Sequence, residues 1–350
     1  MDSINNKKAN SDSLQILVTG VGGDLGQAII KGLRLIDPPV KIYGCDMIPK
    51  GIGDAFVDEY HHMLAARDPN YLECIKELCK KINIDVLIPA SEPEIFALSS
   101  EIDTLKEFSS TIVLCHKFSW LNEFRDKLKS FRYLDGKIEL AAYADGMNSE
   151  EVELYIQKHG FPCVVKPRFS SGSNSVNIAE NRETLIRFLE ETDKPVIQQY
   201  IDNLFGEFSI GVFSSKEFEA GIAFKRELGP RGASWYADNL TDHEDLMEYA
   251  SQIVKITELK GSCNIQVRKS SAGVRLLEIN PRFSSLVAAR AICGFKDLEW
   301  SLRLALDQKI LKPDKTYKRI RFQRYLNELI DFGQGYGVIK EWIPRIRMNG

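Results

Sequence analysis

The sequence predicts a doubly wound parallel α/β domain followed by a mixed α+β region. Three observations predict this order. Short apolar strands alternate with helical patterns up to about residue 115, a glycine-rich turn follows the first strand, and β-rich segments dominate from 196 to 224. The 350 residues are enough for two or three lobes with a substantial core.

Composition indicates a soluble protein of the cytoplasm. Hydrophobic residues make up 44% of the chain and charged residues 27%, and the net charge of −3 gives no reason to expect a nucleic-acid partner. Residues 1–13 are polar, which predicts a disordered tail rather than a signal peptide, and no apolar run approaches the roughly 18 residues of a membrane span. The seven cysteines are scattered without a Cys-x-x-Cys pair, as a reducing compartment allows. The composition does not decide the oligomeric state, for which a homo-oligomer is one alternative.

The first domain should place several loops along one edge of its sheet. Gln15–Thr19 is predicted to be a strand that leads into glycines and then a helix. Further strands are expected at 41–45, 85–89 and 111–115, and a helix at 70–81. Ligands of doubly wound sheets bind at the carboxyl edge, where the strands end.

The glycine-rich turn has two interpretations. The pattern T-G-x-x-G-x-x-G from residue 19, followed by Asp46, is typical of dinucleotide binding, so an NAD(P)-dependent oxidoreductase is one candidate function. Alternatively, the glycines only let the helix pack closely on the sheet. The Tyr-x-x-x-Lys dyad of short-chain dehydrogenases occurs only at Tyr336 and Lys340, far from this turn, which disfavours the oxidoreductase.

From residue 116 the pattern changes to mixed α+β. A strand at 161–167 ends near Lys166 and is followed by a Ser/Gly loop at 170–175, an arrangement suited to clamp a phosphate through a point charge and backbone N–H groups. The alternative is a surface hairpin with a solvated lysine. Helices are expected at 118–134, 183–191, 242–260 and 287–308.

A short apolar strand with amide side chains begins at Val196, and Glu207 follows a loop after it. Amides and strand backbone can pair with an adenine edge, and a carboxylate can accept the two hydroxyls of a ribose. The alternative is an ordinary amphipathic strand.

The segment 261–283 is the most informative part of the chain. Turn residues between two apolar-rich runs predict a β-hairpin. A turn centred near Ala272 sets Gln266 opposite Glu278, with Cβ atoms about 5 Å apart. By the same register, Asn264 lies opposite Asn280.

Oxygen-bearing side chains should therefore converge on one face of this hairpin. Mg²⁺ is usually bound by one or two carboxylates together with substrate phosphates, and Arg282 directly beyond the strand suits an anionic ligand. The alternative is a solvated strand face followed by an Asn-Pro turn.

Taken in order, these segments resemble the ATP-grasp superfamily, and most closely the ATP-binding half-modules of the carbamoyl-phosphate synthase large chain. The resemblance is strongest from 264 to 308, where NIQ and EINPRFS follow in the family's order, and extends with lower specificity over 14–310. It implies a Rossmann-like pre-ATP-grasp domain and a two-lobed ATP-grasp fold. The expected bounds are a tail at 1–13, the first domain at 14–115, the ATP-grasp domain at 116–310 (lobe A about 116–195, lobe B about 196–310) and a C-terminal extension at 311–350.

The resemblance also implies a role for each matching residue. Two lysines and a covering loop would hold the ATP phosphates, four hinge residues would hold adenine, and an acid would hold ribose. The ATP-binding residues are then Lys127, Lys166, Ser171, Gly172, Ser173, Gln198, Gln199, Tyr200, Ile201 and Glu207. The implied ligands of Mg²⁺ (or Mn²⁺) are Gln266, Glu278 and Asn280, and the implied catalytic residues are Arg282 and Arg231. Arg231, Arg290 and the segment 90–94 are expected to line the acceptor pocket.

The implied activity is an ATP-dependent carboxylate–amine ligase that acts on small molecules through an acyl phosphate and releases ADP and phosphate. The chain holds one ATP-grasp unit, and it carries Gln198 where many relatives have Glu and Arg231 where the synthase has His. Complete carbamoyl phosphate synthesis is therefore not expected. The alternatives are a kinase that releases a phosphorylated acid or amide, the oxidoreductase, and a nucleotide-sensing module with a degenerate site.

Overall fold

The computed structural model describes residues 13–49, 51–169, 176–229, 232–313, 316–325, 329–331 and 336–338. The tail predicted at 1–13 lies outside the described residues except for Ser13, and so do the 170–175 loop and Arg231. Within these ranges, no helix combines the length and the apolar character needed to cross a membrane.

The first domain is a five-stranded sheet with helices on both faces. Its elements are the strands Gln15–Thr19 (β1), Lys41–Asp46 (β2), Glu59–His62 (β3), Val86–Ile88 (β4) and Ile112–Val113 (β5), the helices Asp24–Leu33 (α1), Tyr71–Lys81 (α2), Glu92–Ser99 (α3) and Ile102–Ser109 (α4), and a 3₁₀ helix at Ile52–Phe56. The strands run parallel in the order β3-β2-β1-β4-β5. The order reverses between β1 and β4, so the crevice where these two strands end is the expected ligand site of the sheet.

Lobe A is a four-stranded antiparallel sheet with helices packed on it. Its elements are the helices Phe118–Phe124 (α5), Lys127–Leu134 (α6), Ser149–His159 (α7) and Arg182–Glu191 (α8), and the strands Tyr143–Asp145 (β6), Cys163–Pro167 (β7), Asn177–Ala179 (β8) and Pro195–Gln199 (β9). The strand order is β6-β9-β7-β8. Because β9 pairs within this sheet, we place the boundary between the lobes after Gln199 rather than near 195.

Lobe B is built on a six-stranded antiparallel sheet. Its elements are the strands Glu207–Ser214 (β10), Glu219–Leu228 (β11), Ser234–Asp238 (β12), Gly261–Ser270 (β13), Gly273–Asn280 (β14) and Arg321–Gln323 (β15), and the helices Glu244–Ile256 (α9), Val287–Cys293 (α10) and Asp297–Ala305 (α11). The order is β14-β13-β10-β11-β12-β15, so part of the expected C-terminal extension completes this sheet. Leu329–Asp331 (β16) and Tyr336–Val338 (β17) form a separate pair.

Two helices predicted as continuous are each broken in the structure. The predicted helix at 118–134 was wrong at its centre because Asp126 is extended and its carboxylate accepts from the N–H groups of Leu128 and Lys129, which starts a new helix. The predicted helix at 287–308 divides at Gly294, whose φ of +98° ends α10.

The first domain and lobe B share a hydrophobic core. Apolar residues of α1, including Ile29, pack with Val287 of α10 and Leu298 of α11. Gly32 lies at the closest approach, where a Cβ atom would sit 2.9 Å from Leu298 Cδ2. This packing holds the glycine-rich turn near the end of the β13–β14 hairpin that lies away from the hairpin turn.

Candidate active site

The β13–β14 hairpin sets its polar side chains in the predicted register. Gln266 pairs with Glu278, and Asn264 pairs with Asn280. The Nδ2 group of Asn280 donates to Glu278 Oε1 at 2.9 Å, so two of the predicted metal ligands are in contact. The prediction of this local geometry is confirmed.

A β-bulge produces that register. Near the turn, Val267 pairs with Leu276, and the pairing then skips Leu277 before Gln266 meets Glu278. Without this extra residue, Gln266 would oppose Leu277, and Glu278 would project from the other face. The bulge also turns the Leu277 carbonyl toward lobe A, where it accepts from Lys166 Nζ at 2.9 Å.

Lys127 of lobe A reaches the hairpin carboxylate. Its Nζ lies 3.1 Å from Glu278 Oε2. Burial alone would raise the pKa of Glu278, but the Lys127 ammonium, the hydrogen bond from Asn280 and the Lys166 ammonium outweigh it and hold the pKa at about 2. The carboxylate is therefore ionised at any physiological pH and available to a hard cation.

Lys166 is a buried amine in the same cluster. Besides the Leu277 carbonyl, it donates to Gln198 Oε1 at 2.7 Å. Burial, followed by repulsion from the Lys127 ammonium, lowers the pKa of Lys166 to about 7. A phosphate placed between these lysines would favour the charged form of both, so the cluster is suited to an anion.

The Gln198 side chain is satisfied within the protein. Its Oε1 accepts from Lys166, and its Nε2 donates to the Leu276 carbonyl at 2.8 Å. One N–H of this amide and one lone pair of its oxygen remain for other contacts. Of the rest of the predicted adenine segment, Gln199 ends β9, and Tyr200 and Ile201 begin the connection to lobe B, where the Ile201 carbonyl accepts from Arg268 at 2.9 Å.

Glu207 is buried between two arginines. Arg226 donates to its Oε1 at 2.6 Å, and Arg268 donates to its Oε2 at 2.6 Å. Burial would raise the pKa of Glu207, but the two guanidinium groups, Arg226 foremost, hold it below the usual range. Both carboxylate oxygens are engaged by cations, so Glu207 has an ion-pair role in this structure, and its contact with ribose stays a prediction.

Arg226 is a site residue that the sequence analysis missed. It also donates to Gln266 Oε1 at 2.7 Å, so this predicted metal ligand is held by a guanidinium in the present arrangement. One feature of the sequence could have identified this arginine. Arg226 continues the buried face of β11 after Ile222 and Phe224, where a period-two pattern calls for an apolar residue.

A cavity of about 510 Å³ joins this cluster to the first domain. The crevice at the β1 and β4 strand ends forms one wall, as the strand order requires, and lobe B forms the other. The lining includes Gly20, Gly23, Asp24, Gly26, Ala90, Ser91, Glu92, Arg226, Gly232, Ser234, Gln266, Glu278 and Arg282. Most of the 90–94 segment therefore lies in the cavity wall, as expected, together with the end of the loop that contains Arg231.

Two other sequence-based expectations are changed by the geometry. Arg290 does not line this cavity, because it is 1% exposed and its Nη2 lies 3.0 Å from Asp297 Oδ2 inside lobe B. Asp46 accepts hydrogen bonds from the N–H groups of Gly22 and Ile48, so it closes the glycine-rich turn. These two bonds give Asp46 a role in the fold of the turn that needs no dinucleotide.

The donor set of the hairpin fits a hard divalent ion that shares its coordination with a ligand. The hairpin brings together one ionised carboxylate and two amides, from Glu278, Gln266 and Asn280. A bound ion would take the place of Lys127 at Glu278 and of Arg226 at Gln266. Across the described ranges there is no cluster of three or more His, Cys, Asp or Glu side chains that could hold a metal alone. Mg²⁺ suits such a site because it keeps water and phosphate oxygens among its ligands. Ser171, Gly172, Ser173 and Arg231 lie outside the described residues.

The fold and the cluster resemble those of one class of protein. A parallel domain of this strand order, followed by two lobes that face each other across a lysine strand and an oxygen-rich hairpin, is the architecture of ATP-grasp proteins. The family model described as "ATP-grasp in the biosynthetic pathway with Ter operon" matches residues 191–327. The model described as "PylC-like, N-terminal domain" matches residues 16–113.

Curated relatives agree with this class. The chain is 25% identical over 287 residues to the carbamoyl phosphate synthase large chain of Methanobrevibacter smithii, covering 71% of this chain and 26% of that one. It is 23% identical over 276 residues to the formate-dependent phosphoribosylglycinamide formyltransferase of Flavobacterium psychrophilum, covering 73% and 71%. The same-named protein of Prochlorococcus marinus is 25% identical over 197 residues, covering 52% of this chain and 48% of that one. The chain thus spans only part of several of these relatives.

Solved structures share the fold. The biotin carboxylase domain of 2-oxoglutarate carboxylase from Hydrogenobacter thermophilus, in complex with MgADP, ADP and bicarbonate, superposes with a TM-score of 0.70 at 15% identity, covering 88% of this chain and 73% of that one. N5-carboxyaminoimidazole ribonucleotide synthetase in complex with ADP superposes with a TM-score of 0.69 at 13% identity, covering 89% and 81%. The chain has the ATP-grasp fold.

Proposed function

We propose that this chain is an ATP-dependent carboxylate–amine ligase that works through an acyl-phosphate intermediate. The observation that carries the proposal is the convergence of Lys127 and Lys166 on Glu278, beside a cavity that Arg282 also lines. Cations facing an ionised oxygen ligand are what a triphosphate with its metal ion requires. The names of the relatives, a carbamoyl phosphate synthase and a formate-dependent formyltransferase, point in the same direction.

In the proposed reaction, a carboxylate oxygen of the acceptor attacks the γ-phosphorus of ATP. The bond from that phosphorus to the bridging oxygen breaks, and ADP leaves. An amine nitrogen then attacks the acyl carbon and loses a proton, and phosphate leaves to give the amide. Such transfers ask little covalent chemistry of the protein and depend on positioning and charge neutralisation.

The residues of the cluster would divide this work. Lys127 would exchange its contact with Glu278 for a phosphate oxygen, and Lys166 would gain a full charge beside the same phosphates. Arg282 lines the cavity of about 510 Å³, which we call the acceptor cavity. Its guanidinium would stabilise the charge on the transferred phosphoryl group. Gln266, Glu278 and Asn280 would hold Mg²⁺ (or Mn²⁺), which when bound would neutralise the β- and γ-phosphates.

The proposed setting is the cytoplasm, with a small carboxylic acid and an amine as substrates. The cysteines of the described chain are free, and most of them are buried, as in proteins of reducing compartments.

The test is acceptor-dependent ADP release by the full chain with ATP and Mg²⁺, using a panel of amino acids and amino sugars. Amide formation is followed in parallel by mass spectrometry. Glu278→Gln should lose at least about a hundredfold in turnover, because the ion loses its charged ligand. Glu219→Gln, at an exposed position on the same lobe, is the matched control and should keep wild-type rates.

Three outcomes separate the ligase from its rivals. Amide with stoichiometric ADP supports the ligase. A stable phosphorylated acid with no need for an amine supports a kinase instead. ATP binding without turnover of any acceptor, equal in Glu278→Gln and the wild type, would leave only a nucleotide-sensing role.

A further inference from the structure

A second cavity, of about 190 Å³, lies next to the acceptor cavity. Arg282 lines both cavities. The two cavities are adjacent, because Pro89 and Phe283 line the smaller one whereas their chain neighbours Ala90 and Ser284 line the larger one. Arg282 therefore lies where the two spaces meet.

The lining of the smaller cavity is mostly apolar. Carbon-rich side chains come from the first domain, from the segment after β14 and from α11, and they include Ile95, Val113, Leu114, Phe283, Leu304 and Ala305. No Asp or Glu is present among the described lining residues, and the positive groups are Arg282 and Lys260. The cavity thus combines an apolar interior with a cationic boundary.

The one histidine among the described lining residues adds no charge. Its Nε2 group donates to the Ser262 carbonyl at 2.8 Å, and burial lowers the pKa of His116 to about 4. The imidazole is therefore neutral at physiological pH. An ionic group would gain little binding free energy in the interior of this cavity.

The size of the cavity indicates what could fill it. An engineered apolar cavity of about 150 Å³ is large enough to bind benzene and stays free of water. A space of about 190 Å³ therefore accepts a phenyl ring or a branched chain of about six carbon atoms.

We propose that this cavity receives the apolar group of the acceptor acid, whose carboxylate stays on the Glu278 side of Arg282. The substrate class is then a carboxylic acid with an aliphatic or aromatic group of about six carbon atoms. The proposal rests on the proposed function for the position of the carboxylate, but the binding of the apolar group can be tested without turnover.

The kinetic experiment uses the full chain with ATP, Mg²⁺ and hydroxylamine, which traps an acyl phosphate as a hydroxamate. The acids are acetate, butanoate, hexanoate, octanoate and phenylacetate. The KM should fall roughly fourfold for each buried methylene up to about hexanoate, and it should rise again for octanoate once the cavity is full. A KM that is the same for all five acids overturns the inference.

The binding experiment uses saturation-transfer NMR with phenylacetate and acetate in the absence of ATP. Ala305→Phe fills the cavity from α11 and should weaken phenylacetate binding about tenfold or more. Ile292→Phe, on α10 at a position that is 53% exposed, adds the same ring elsewhere and should leave binding unchanged. If Ala305→Phe does not fold, Ala305→Val tests the same point with a smaller side chain.

The outcomes distinguish this inference from the proposed function. Hydroxamate formation without any dependence on chain length keeps the acyl-phosphate step of the proposed function and removes the apolar pocket. Phenylacetate binding that Ala305→Phe abolishes, without turnover of any acid, keeps the pocket and removes the ligase. An absence of phenylacetate binding to the wild type would mark the space as a packing void only.

Discussion

Replacing Glu278 by Gln should destabilise the folded protein as well as remove activity. Glu278 is in contact with the buried Lys127, and it also offsets the charge of Lys166. Gln keeps the size of the side chain and the contact with Asn280, but it removes the negative charge that faces two buried amines. Breaking a buried ion pair in this way is strongly destabilising.

The magnitude follows from the pKa of Glu278. The charges and hydrogen bonds around this carboxylate lower its pKa from the ordinary 4.5 to about 2. At about 1.4 kcal/mol for each pKa unit, that difference corresponds to roughly 3 kcal/mol. Lys166, with a pKa of about 7, can release its proton when the carboxylate is removed, which reduces the loss. We expect Glu278→Gln to lower the free energy of unfolding by about 2–3 kcal/mol at pH 7.

Urea denaturation at several pH values measures this effect. Because the folded pKa of Glu278 is depressed, its contribution is complete above pH 4.5 and is lost as the pH falls through about 2. The difference in stability between the wild type and Glu278→Gln should therefore be largest near neutral pH and shrink between pH 4.5 and 2. Circular dichroism at pH 7 confirms that both variants are folded at the start.

A double-mutant cycle with Lys127→Met supplies the control. Removing both partners of the pair should restore part of the stability, with a coupling energy of about 1–3 kcal/mol. A Glu278→Gln variant within about 0.5 kcal/mol of the wild type, together with additive effects in the cycle, would refute the contact between Lys127 and Glu278.

Three further changes test other parts of the molecule. Lys166→Met should flatten the pH dependence of stability, because the lysine keeps its proton up to about pH 10.5 in the unfolded chain but loses it near pH 7 in the folded protein. Above pH 7 the wild type should therefore gain roughly 1 kcal/mol of unfolding free energy per pH unit relative to the variant. Urea curves of the two proteins that stay parallel between pH 7 and 9 would contradict this. Gly211→Ala should lower the free energy of unfolding by about 1–3 kcal/mol, because its Cβ would lie 2.0 Å from the Nη1 of Arg290. Gly51→Ala, whose Cβ meets only ordinary contacts at 3.5 Å, is the control. Equal melting temperatures for both variants would be inconsistent with this packing. Arg282→Met should reduce kcat about a hundredfold or more with an unchanged melting temperature, and a variant that changes only KM would show that the guanidinium binds the acceptor without stabilising the transferred group.

Local elements were predictable because each carries its own short-range signal. The strand Gln15–Thr19 agrees residue for residue, since an apolar run that ends in glycine has few other solutions. The break at Asp126 was missed, because the surrounding residues are good helix formers and only the capping geometry of its carboxylate starts the new helix. The cavity wall at 90–94 was anticipated from the position of a strand end alone.

The hairpin shows where such inference reaches its limit. The pairing of Gln266 with Glu278 was predicted from a turn centre near Ala272, yet the structure reaches it with a different turn register and a bulge that skips Leu277. The alternation of polar and apolar side chains along the two strands does not indicate the bulge. At the bulge, the Leu277 carbonyl accepts from Lys166, which is 111 residues away in the chain and so lies outside any local pattern.

The sequence by itself determined the order of the elements, the two strand types and the residue kinds that gather at the hairpin. Only the tertiary structure decided which partners these residues take: Lys166 with Gln198, Glu207 with two arginines, and Asp46 with a turn N–H. The physical reason is distance along the chain. Hydrophobic periodicity is a property of neighbouring residues, whereas the partner of a buried charge depends on which distant segment the packed lobes bring within about 3 Å.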